Sequence, residues 1–116
     1  MDYPENPEGI SFILDTDNYY SDFIKLKEKY SNQIDLFWGV ELGLIAHLKD
    51  RISEYINKYD FDFIIGSSHI VNGKDPYYPN FFEDKTDKQA YEEYFKVILD
   101  NVKTINFPRP YGRRIK

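Results

Sequence analysis

Cysteine is absent from this 116-residue chain, and methionine and tryptophan each occur only once. The absence of cysteine excludes disulfide bonds and cysteine-ligated zinc sites, so any metal ion would be held by histidine and carboxylate groups. Long apolar runs are also missing, and none approaches the ~20 residues that a membrane-spanning helix requires. The first ten residues lack the basic and apolar parts of a secretory signal. We therefore expect a cytoplasmic protein with no membrane partner.

Positive charge is in short supply as well. Fifteen lysine and arginine residues stand against twenty aspartate and glutamate residues, which gives a formal charge of −5. Nucleic-acid binding needs clustered positive charge to neutralise phosphates, so we expect no nucleic-acid partner. The one basic cluster lies at the C-terminus and comprises Arg109, Arg113, Arg114 and Lys116. We interpret it as a solvated tail, in which the arginines are candidates for phosphate binding by charge only.

Aromatic residues, in contrast, are abundant, with eleven tyrosines and nine phenylalanines. Aromatic rings bury large areas and make directional contacts, so this supply is sufficient to build one hydrophobic core. Length and composition together predict a single domain over residues 1–116 rather than a disordered chain.

The hydrophobic pattern predicts helices that alternate with strands. The predicted elements are a helix from about Asp17 to Asn32, a strand over Asp35–Val40 that ends in Glu41, a helix from roughly His47 to Tyr59, a strand over Phe61–Ile65, a long loop over 70–85, and a helix that begins at a Thr86–Gln89 capping box. Thr16 or Asp17 is the expected cap of the first helix. This order predicts an α/β fold with a parallel sheet whose apolar strands are buried on both faces.

Each predicted helix carries an apolar stripe that we expect to face the core. The stripes are Tyr19, Phe23, Leu26 and Tyr30 in the first helix, Leu48, Ile52, Tyr55, Ile56 and Tyr59 in the second, and Tyr91, Tyr94, Phe95, Ile98 and Val102 in the third. Two strands alone do not make a stable parallel sheet, because each buried strand needs neighbours on both sides. Part of the architecture is therefore expected to be missing.

Glu41 and His69 are the side chains best placed for chemistry, because each stands at the end of a predicted strand. The carboxyl ends of neighbouring parallel strands converge on one rim, where active sites assemble. Glutamate and histidine are good ligands for zinc, manganese or iron. From spacing alone other roles stay open, since Glu41 could be solvated or cap a helix and His69 could make a structural hydrogen bond.

Two further features have plainer interpretations. His47 is read as a partly exposed histidine in a first helical turn. The Tyr77–Tyr78 pair is read as rings that anchor the long loop, with pocket lining as the alternative. A glycine-rich phosphate loop, a nucleophile elbow, a zincin helix and an EF-hand loop are all absent from the sequence.

The sequence around these residues resembles the histidinol phosphatases of the PHP (polymerase and histidinol phosphatase) superfamily. The segments that carry the resemblance are Phe37–Leu44 with Ala46–Leu48, which resemble G-[IV]-E-[LI]-G, then Phe61–His69, which resembles F-D-F-[VI]-I-G-S-[SVI]-H, and the shorter matches Val71–Tyr78, Asp2–Pro4 and Asn6–Gly9. The resemblance covers about residues 1–105 in register. Residues 106–116 form a divergent tail.

The resemblance implies a distorted (β/α)7 barrel of the TIM type, with two or three divalent ions at the carboxyl ends of its strands. Zinc, manganese or iron are the implied metals. The implied reaction is hydrolysis of L-histidinol phosphate to histidinol and phosphate in histidine biosynthesis. Glu41 matches the family's metal-bridging glutamate and His69 matches a metal-binding histidine, so both are implied to be metal ligands and catalytic residues.

Other metal-binding motifs of the family are missing from this sequence. They are an H-x-H pair on the first strand, an Asp-His pair before the segment that matches Met1–Tyr3, a later Gly-His segment and an Asp-x-His near the end. Only Glu41 and His69 remain of the expected ligand set. We therefore expect an internal piece of the enzyme with an incomplete metal site, which binds metal weakly or not at all and self-associates through exposed barrel edges.

Three functional hypotheses follow from the sequence. The chain is a histidinol-phosphate phosphatase present in part, or it is an inactive remnant or assembly subunit that needs another chain to complete the site. In the third hypothesis it is a related phosphoesterase with a different small substrate. The sequence of Asp75–Tyr78 disfavours the third hypothesis, because it resembles the corresponding segment of the histidinol phosphatases closely.

Overall fold

The computed structural model describes residues 1–3 and 12–105 of the chain. Its elements are the helices α1 (Thr16–Lys29), α2 (Lys49–Lys58) and α3 (Asp87–Thr104), the strands β1 (Gly39–Gly43) and β2 (Phe63–Ser67), and short 3-10 helices at Ala46–Leu48 and Pro79–Phe81. β1 and β2 pair in parallel, with Glu41 opposite Ile65 and Gly43 opposite Ser67. The predicted α/β fold with parallel strands is confirmed.

Several sequence predictions concern residues outside the described ranges. They are the Asn6–Gly9 match, the divergent tail over 106–116 and the basic cluster from Arg109 to Lys116. Within the described ranges, no helix has both the length and the apolar character needed to cross a bilayer.

Both strands lie further along the chain than predicted. β1 covers Gly39–Gly43, so Glu41 is its central residue rather than its end. Asp62 accounts for the late start, because its carboxylate accepts the Trp38 N–H at 2.6 Å and its own N–H donates to the Trp38 carbonyl oxygen at 2.7 Å. The Asp62 side chain therefore accepts the Trp38 N–H, which would otherwise donate to a backbone carbonyl of the neighbouring strand. β2 is displaced in the same direction by two residues.

The sheet has one covered face and one open face. The covered face packs against α2 in a core cluster of Val40, Leu42, Leu44, Ile52, Tyr55, Ile56 and Ile105. On the other face Phe63 is 49% exposed and Ile65 is 52% exposed. The prediction of strands buried on both faces is therefore wrong for the described residues, because the helical layer that they contain packs on one side.

α1 is capped by Asp15, not by Thr16 or Asp17 as predicted. The Asp15 carboxylate accepts the Asn18 N–H at 3.1 Å. Thr16 is the first helical residue and is buried, and its hydroxyl is committed to a 2.8 Å hydrogen bond with the Tyr55 hydroxyl. Burial raises the pKa of Tyr55. This polar contact, inside an otherwise apolar cluster, ties the start of α1 to α2.

Aromatic rings attach the rest of α1 to the sheet. Trp38 is only 2% exposed, and its ring centroid lies 4.6 Å from that of Tyr20 and 4.2 Å from that of Phe61. The predicted inward stripe of α1 is only partly covered, since Leu26 is 48% exposed. The helix therefore packs through its first half, beside the start of β1.

α3 begins at the predicted capping box. The Thr86 hydroxyl accepts the Gln89 N–H, and the Gln89 side chain accepts the Thr86 N–H. The predicted inward stripe is wrong in part, because Tyr91, Phe95 and Val102 are 62%, 62% and 65% exposed. Tyr94 of the predicted stripe does pack inward, and Ala90 and Val97, which were not predicted, join it against Val71 and Phe81.

The long loop between β2 and α3 has its own structure. Val71 and Lys74 pair across a tight turn in which Asn72 and Gly73 both have positive φ, at 49° and 75°. Asn-Gly is the sequence that such two-residue turns favour. Tyr77 is 85% exposed and Tyr78 is 51% exposed, so these rings do not anchor the loop as predicted. Phe81, at 2% exposure in the Pro79–Phe81 turn, is the anchor.

Candidate functional site

Glu41 and His69 meet at the carboxyl end of the sheet. The Nε2 atom of His69 lies 3.2 Å from Oε1 of Glu41. Glu41 is in the middle of β1, on its open face, whereas His69 follows the end of β2 by two residues. The two residues are therefore not at matching positions of the ladder, and their side chains bridge the offset. Both remain accessible, with 55% of the Glu41 side chain and 40% of the His69 side chain exposed.

Asp2 completes this cluster and was missed by the sequence analysis as a site residue. Its carboxylate oxygens lie 3.0 and 3.1 Å from Nδ1 of His69, on the opposite side of the ring from Glu41. Asp2 precedes His69 by 67 residues. The one available signal was its place in a segment that resembles the histidinol phosphatases, which gave it no role.

Backbone hydrogen bonds fix Asp2 beside β1. The Met1 nitrogen donates to the Glu41 carbonyl oxygen at 2.9 Å, and the Gly43 N–H donates to the Met1 carbonyl oxygen at 2.9 Å. The N–H of Asp2 donates to the carbonyl oxygen of Phe12 at 3.1 Å. Residues 1–3 therefore run along the edge of β1 that β2 does not occupy, and they present Asp2 to the imidazole.

Two more polar side chains organise the end of the sheet. The Ser67 hydroxyl donates to Oε1 of Glu41 at 3.0 Å. Asn101 of α3 is 2% exposed, and its Nδ2 atom donates to the Leu44 carbonyl oxygen at 3.0 Å and contacts the Ser68 hydroxyl at 2.8 Å. Asn101 therefore links α3 to the residues that follow both strands.

An open cavity of about 360 Å³ adjoins His69 on the side of α3. Its lining combines the small residues at the end of β2 with apolar residues of α3: Leu44, Gly66, Ser67, Ser68, His69, Tyr94, Ile98, Asn101 and Val102. His47 is not part of this site, since it lies in the 3-10 helix before α2 and is exposed as predicted.

The Glu41–His69 pair has the spacing of two ligands of one metal ion. Zinc binds histidine nitrogen and carboxylate oxygen at about 2.0–2.2 Å, so two such ligands in a tetrahedral site lie roughly 3.3 Å apart. The observed distance of 3.2 Å between Nε2 and Oε1 agrees with that separation between two ligands. It also fits a hydrogen bond from an Nε2–H group of the imidazole.

The pair alone does not make a full coordination sphere. Asp2 contacts the opposite ring nitrogen, so it cannot join Glu41 and Nε2 on the same ion. Residues 1–3 and 12–105 contain no group of three or more histidine, cysteine, aspartate or glutamate side chains that could hold a metal ion. A complete sphere would need donors from water, from residues outside those ranges or from another chain.

Two parallel strands covered by a helix, with a carboxylate and an imidazole at their carboxyl end, define an α/β protein that carries its functional groups at the end of a sheet. The sequence pattern of the PHP domain matches residues 9–112, and the chain belongs to this family. That match includes both Glu41 and His69.

Two curated relatives support the same assignment. A probable histidinol-phosphatase from Clostridium acetobutylicum is 33% identical over 99 residues, which are 85% of this chain and 36% of that protein. The histidinol-phosphatase of Lactococcus lactis subsp. lactis is 27% identical over 105 residues, which are 90% of this chain and 39% of that protein. The chain therefore spans less than two fifths of the length of these relatives.

A solved structure shares the fold. The crystal structure of the histidinol phosphate phosphatase from Lactococcus lactis subsp. lactis, complexed with zinc, L-histidinol and phosphate, matches with a TM-score of 0.80 and 28% sequence identity. The match covers 88% of this chain and 38% of that one. The arrangement of helices and parallel strands described above is thus similar to a part of that structure.

Proposed function

We propose that this chain contributes Glu41 and His69 to the metal site of a phosphatase that hydrolyses L-histidinol phosphate to L-histidinol and phosphate. The observation that carries the proposal is the 3.2 Å approach of Glu41 Oε1 to His69 Nε2 at the end of a parallel sheet. The chain belongs to the PHP domain family, and both curated relatives are named histidinol-phosphatases. The related crystal structure holds zinc, L-histidinol and phosphate together.

Glu41 and His69 would act as metal ligands in this proposal, and the metal is zinc, manganese or iron. A bound divalent ion supplies Lewis acidity toward phosphoryl oxygens and lowers the pKa of water. Ser67 would steady Glu41, because its hydroxyl already donates to the oxygen that faces His69. The chain's own contribution is thus to hold one carboxylate and one imidazole at a fixed spacing.

For the fold, we propose that residues 1–116 are one partial PHP domain and that β1 and β2 are neighbouring strands of a distorted (β/α)7 barrel. The open face of the sheet would then be the barrel interior. The exposed side chains of Phe63 and Ile65 on the same face as Glu41 support this placement. We also propose a cytoplasmic location, on the composition of the chain.

A second candidate function is an assembly subunit that is inactive until another chain completes the site. Two observations favour it. The described residues offer Glu41 and one nitrogen of His69 but no third donor. In addition, apolar side chains stand exposed on α3 and on the open face of the sheet, which is typical of a surface that another chain covers.

One assay separates these candidates. Release of phosphate from L-histidinol phosphate is measured with added Mn²⁺ or Zn²⁺, for the chain alone and for the chain mixed with the remaining segments of the Lactococcus lactis relative. Glu41→Ala tests the site, and His47→Ala is the matched control, because His47 is exposed and outside it. p-Nitrophenyl phosphate serves as the comparison substrate for a phosphoesterase of different specificity.

Turnover by the chain alone that is lost in Glu41→Ala and kept in His47→Ala supports the phosphatase. Turnover that requires the added segments, and is again lost only in Glu41→Ala, supports the assembly subunit. Absence of turnover in every mixture, in samples that contain folded chain and bound metal, contradicts both candidates. Preference for p-nitrophenyl phosphate contradicts the proposed substrate.

A further inference from the structure

The imidazole of His69 lies between two carboxylates. Asp2 faces Nδ1 through both oxygens, at 3.0 and 3.1 Å, and Glu41 faces Nε2 through one oxygen at 3.2 Å. Ionised carboxylates accept hydrogen bonds but cannot donate them, and a neutral imidazole carries one N–H. A neutral ring can therefore satisfy only one of these two neighbours with its proton. At the other nitrogen, a lone pair and a carboxylate face each other and leave room for a cation.

Asp2 is the better acceptor of the ring proton. Its two oxygens are nearly equidistant from Nδ1, and its side chain is 27% exposed, against 55% for Glu41. Less exposure to water strengthens a charge-assisted hydrogen bond. Glu41 Oε1 in addition already accepts the Ser67 hydroxyl. The proton is thus favoured on Nδ1, which leaves the Nε2 lone pair directed at Glu41.

The local backbone is shaped to hold this carboxylate. A Cβ atom at Gly43 would overlap the Asp2 side chain, so the absence of a side chain at position 43 makes room for Asp2. The backbone hydrogen bonds of Met1 with Glu41 and Gly43 fix the position of Asp2 along β1. The position of Asp2 beside His69 is therefore specified by the backbone of β1.

We infer that Asp2 is a positioning residue, which holds the Nδ1–H tautomer of His69 so that Nε2, together with Glu41, is free to bind a divalent cation. The part of this inference that concerns the cation rests on the proposed function, whereas the part that concerns the tautomer does not. A carboxylate on the far nitrogen is the arrangement that fixes ring orientation and raises the basicity of metal-binding histidines. Asp2 itself would not touch the ion.

The tautomer can be measured directly in the full chain. With only two histidines present, a long-range ¹H–¹⁵N correlation spectrum at alkaline pH shows two neutral imidazoles, and His47→Gln assigns them. We expect His69 in the Nδ1–H form and exposed His47 in the Nε2–H form that free histidine prefers. Asp2→Ala should shift His69 toward Nε2–H, because Glu41 becomes its one carboxylate acceptor.

Two variants separate positioning from mere packing. Asp2→Asn keeps an oxygen that can accept the Nδ1 proton, so it should retain the wild-type tautomer. Gly43→Ala keeps Asp2 but displaces its carboxylate, so it should shift the tautomer as Asp2→Ala does. An Nε2–H form of His69 in the wild-type chain overturns the inference, and that measurement needs no variant to fold.

Zinc titration gives the second readout. If Asp2 positions a ligand, Asp2→Ala should weaken zinc binding by about 10–100-fold while Asp2→Asn weakens it less. Unchanged zinc affinity and an unchanged tautomer in a folded Asp2→Ala chain overturn the role of Asp2. An Nδ1–H tautomer in a chain that binds no zinc, either alone or mixed with the remaining segments of the Lactococcus lactis relative, contradicts the proposed metal function instead, so the two failures are distinguishable.

Discussion

The side-chain amide of Asn101 donates to the Leu44 carbonyl oxygen across 3.0 Å, and it joins the last turn of α3 to the residue that follows β1. Leu44 is 4% exposed and Asn101 is 2% exposed, so this hydrogen bond lies in the interior. The same nitrogen contacts the Ser68 hydroxyl at 2.8 Å, immediately before His69. One buried amide therefore connects α3 to the ends of both strands.

Replacing Asn101 should destabilise the fold. Asn101→Ala removes the donor and leaves the buried Leu44 carbonyl unpaired, and such a loss costs about 2 kcal/mol of unfolding free energy. Asn57→Ala, at an exposed position of α2, is the control and should change stability by less than about 0.5 kcal/mol. Urea unfolding followed by circular dichroism measures both. Equal midpoints for the two variants would show that the buried amide contributes little.

The ion pair of Lys85 and Glu93 should make stability depend on pH. Their charged groups lie 2.7 Å apart, and the hydrogen bond from Lys85 holds the pKa of Glu93 below its ordinary value. Because the pKa is lowered in the folded state, the pair stabilises the fold above the pKa of unfolded glutamate, and this contribution is lost as pH falls through the lowered folded value.

Glu93→Gln tests this dependence. Its urea midpoint should lie below that of the wild type at about pH 7, and the gap should narrow as the pH falls below the ordinary glutamate pKa of about 4.3 and on through the lower folded value. Glu92→Gln is the neighbouring control, since the 3.7 Å contact of Glu92 with Lys88 is more exposed. A gap that stays constant over this pH range would rule out the ionised pair as its origin.

The apolar stripe of α3 should make the purified chain self-associate. The stripe consists of Tyr91, Phe95, Leu99 and Val102, which are 50–65% exposed. In a solution that contains only this chain, the apolar surface that can cover the stripe comes from a second copy of the chain. Sedimentation velocity should show a mass that grows with concentration, and the double variant Phe95→Lys, Val102→Lys should reduce that growth.

Tyr77→Lys is the control for this experiment, because Tyr77 is 85% exposed but lies on the long loop and not on the stripe. It should associate as the wild type does. A wild-type chain that remains monomeric at every concentration would contradict the prediction.

Local sequence signals predicted the elements whose causes are local. The Thr86–Gln89 capping box starts α3 because both partners lie within one helical turn. The inward stripe predicted for α2 is confirmed, since Ile52, Tyr55 and Ile56 are all buried as their spacing predicts. The alternation of helices and strands likewise predicted the parallel pairing of β1 with β2.

The orientation of α3 could not be read from its sequence. The helix carries apolar residues on more than one face, with Ala90 and Val97 on one and Phe95 and Val102 on another. Which face turns inward depends on Phe81 and Val71, which the long loop brings against the helix. The stripe predicted from the largest side chains therefore included the exposed residues Tyr91, Phe95 and Val102 beside the inward-packing Tyr94.

The candidate site was predictable only where its causes are local in the sequence. Glu41 and His69 were found because the hydrophobic pattern predicted each at the end of a parallel strand and because both lie within motifs that resemble the histidinol phosphatases. Asp2 was not, because its contact with His69 depends on the pairing of Met1 with β1 and on the space above Gly43. Neither condition is visible in the residues that flank Asp2.

Zinc affinity tests the central claim, that Glu41 and His69 hold one divalent ion together, most directly. Isothermal titration of the chain with Zn²⁺ is compared among Glu41→Gln, His69→Gln, and the exposed controls Glu54→Gln and His47→Gln. We predict that each of the first two variants weakens binding by about tenfold or more, that the double variant binds no more tightly than the weaker single one, and that both controls bind as the wild type does. Wild-type affinity in Glu41→Gln and His69→Gln, or loss of binding in His47→Gln, would contradict the claim.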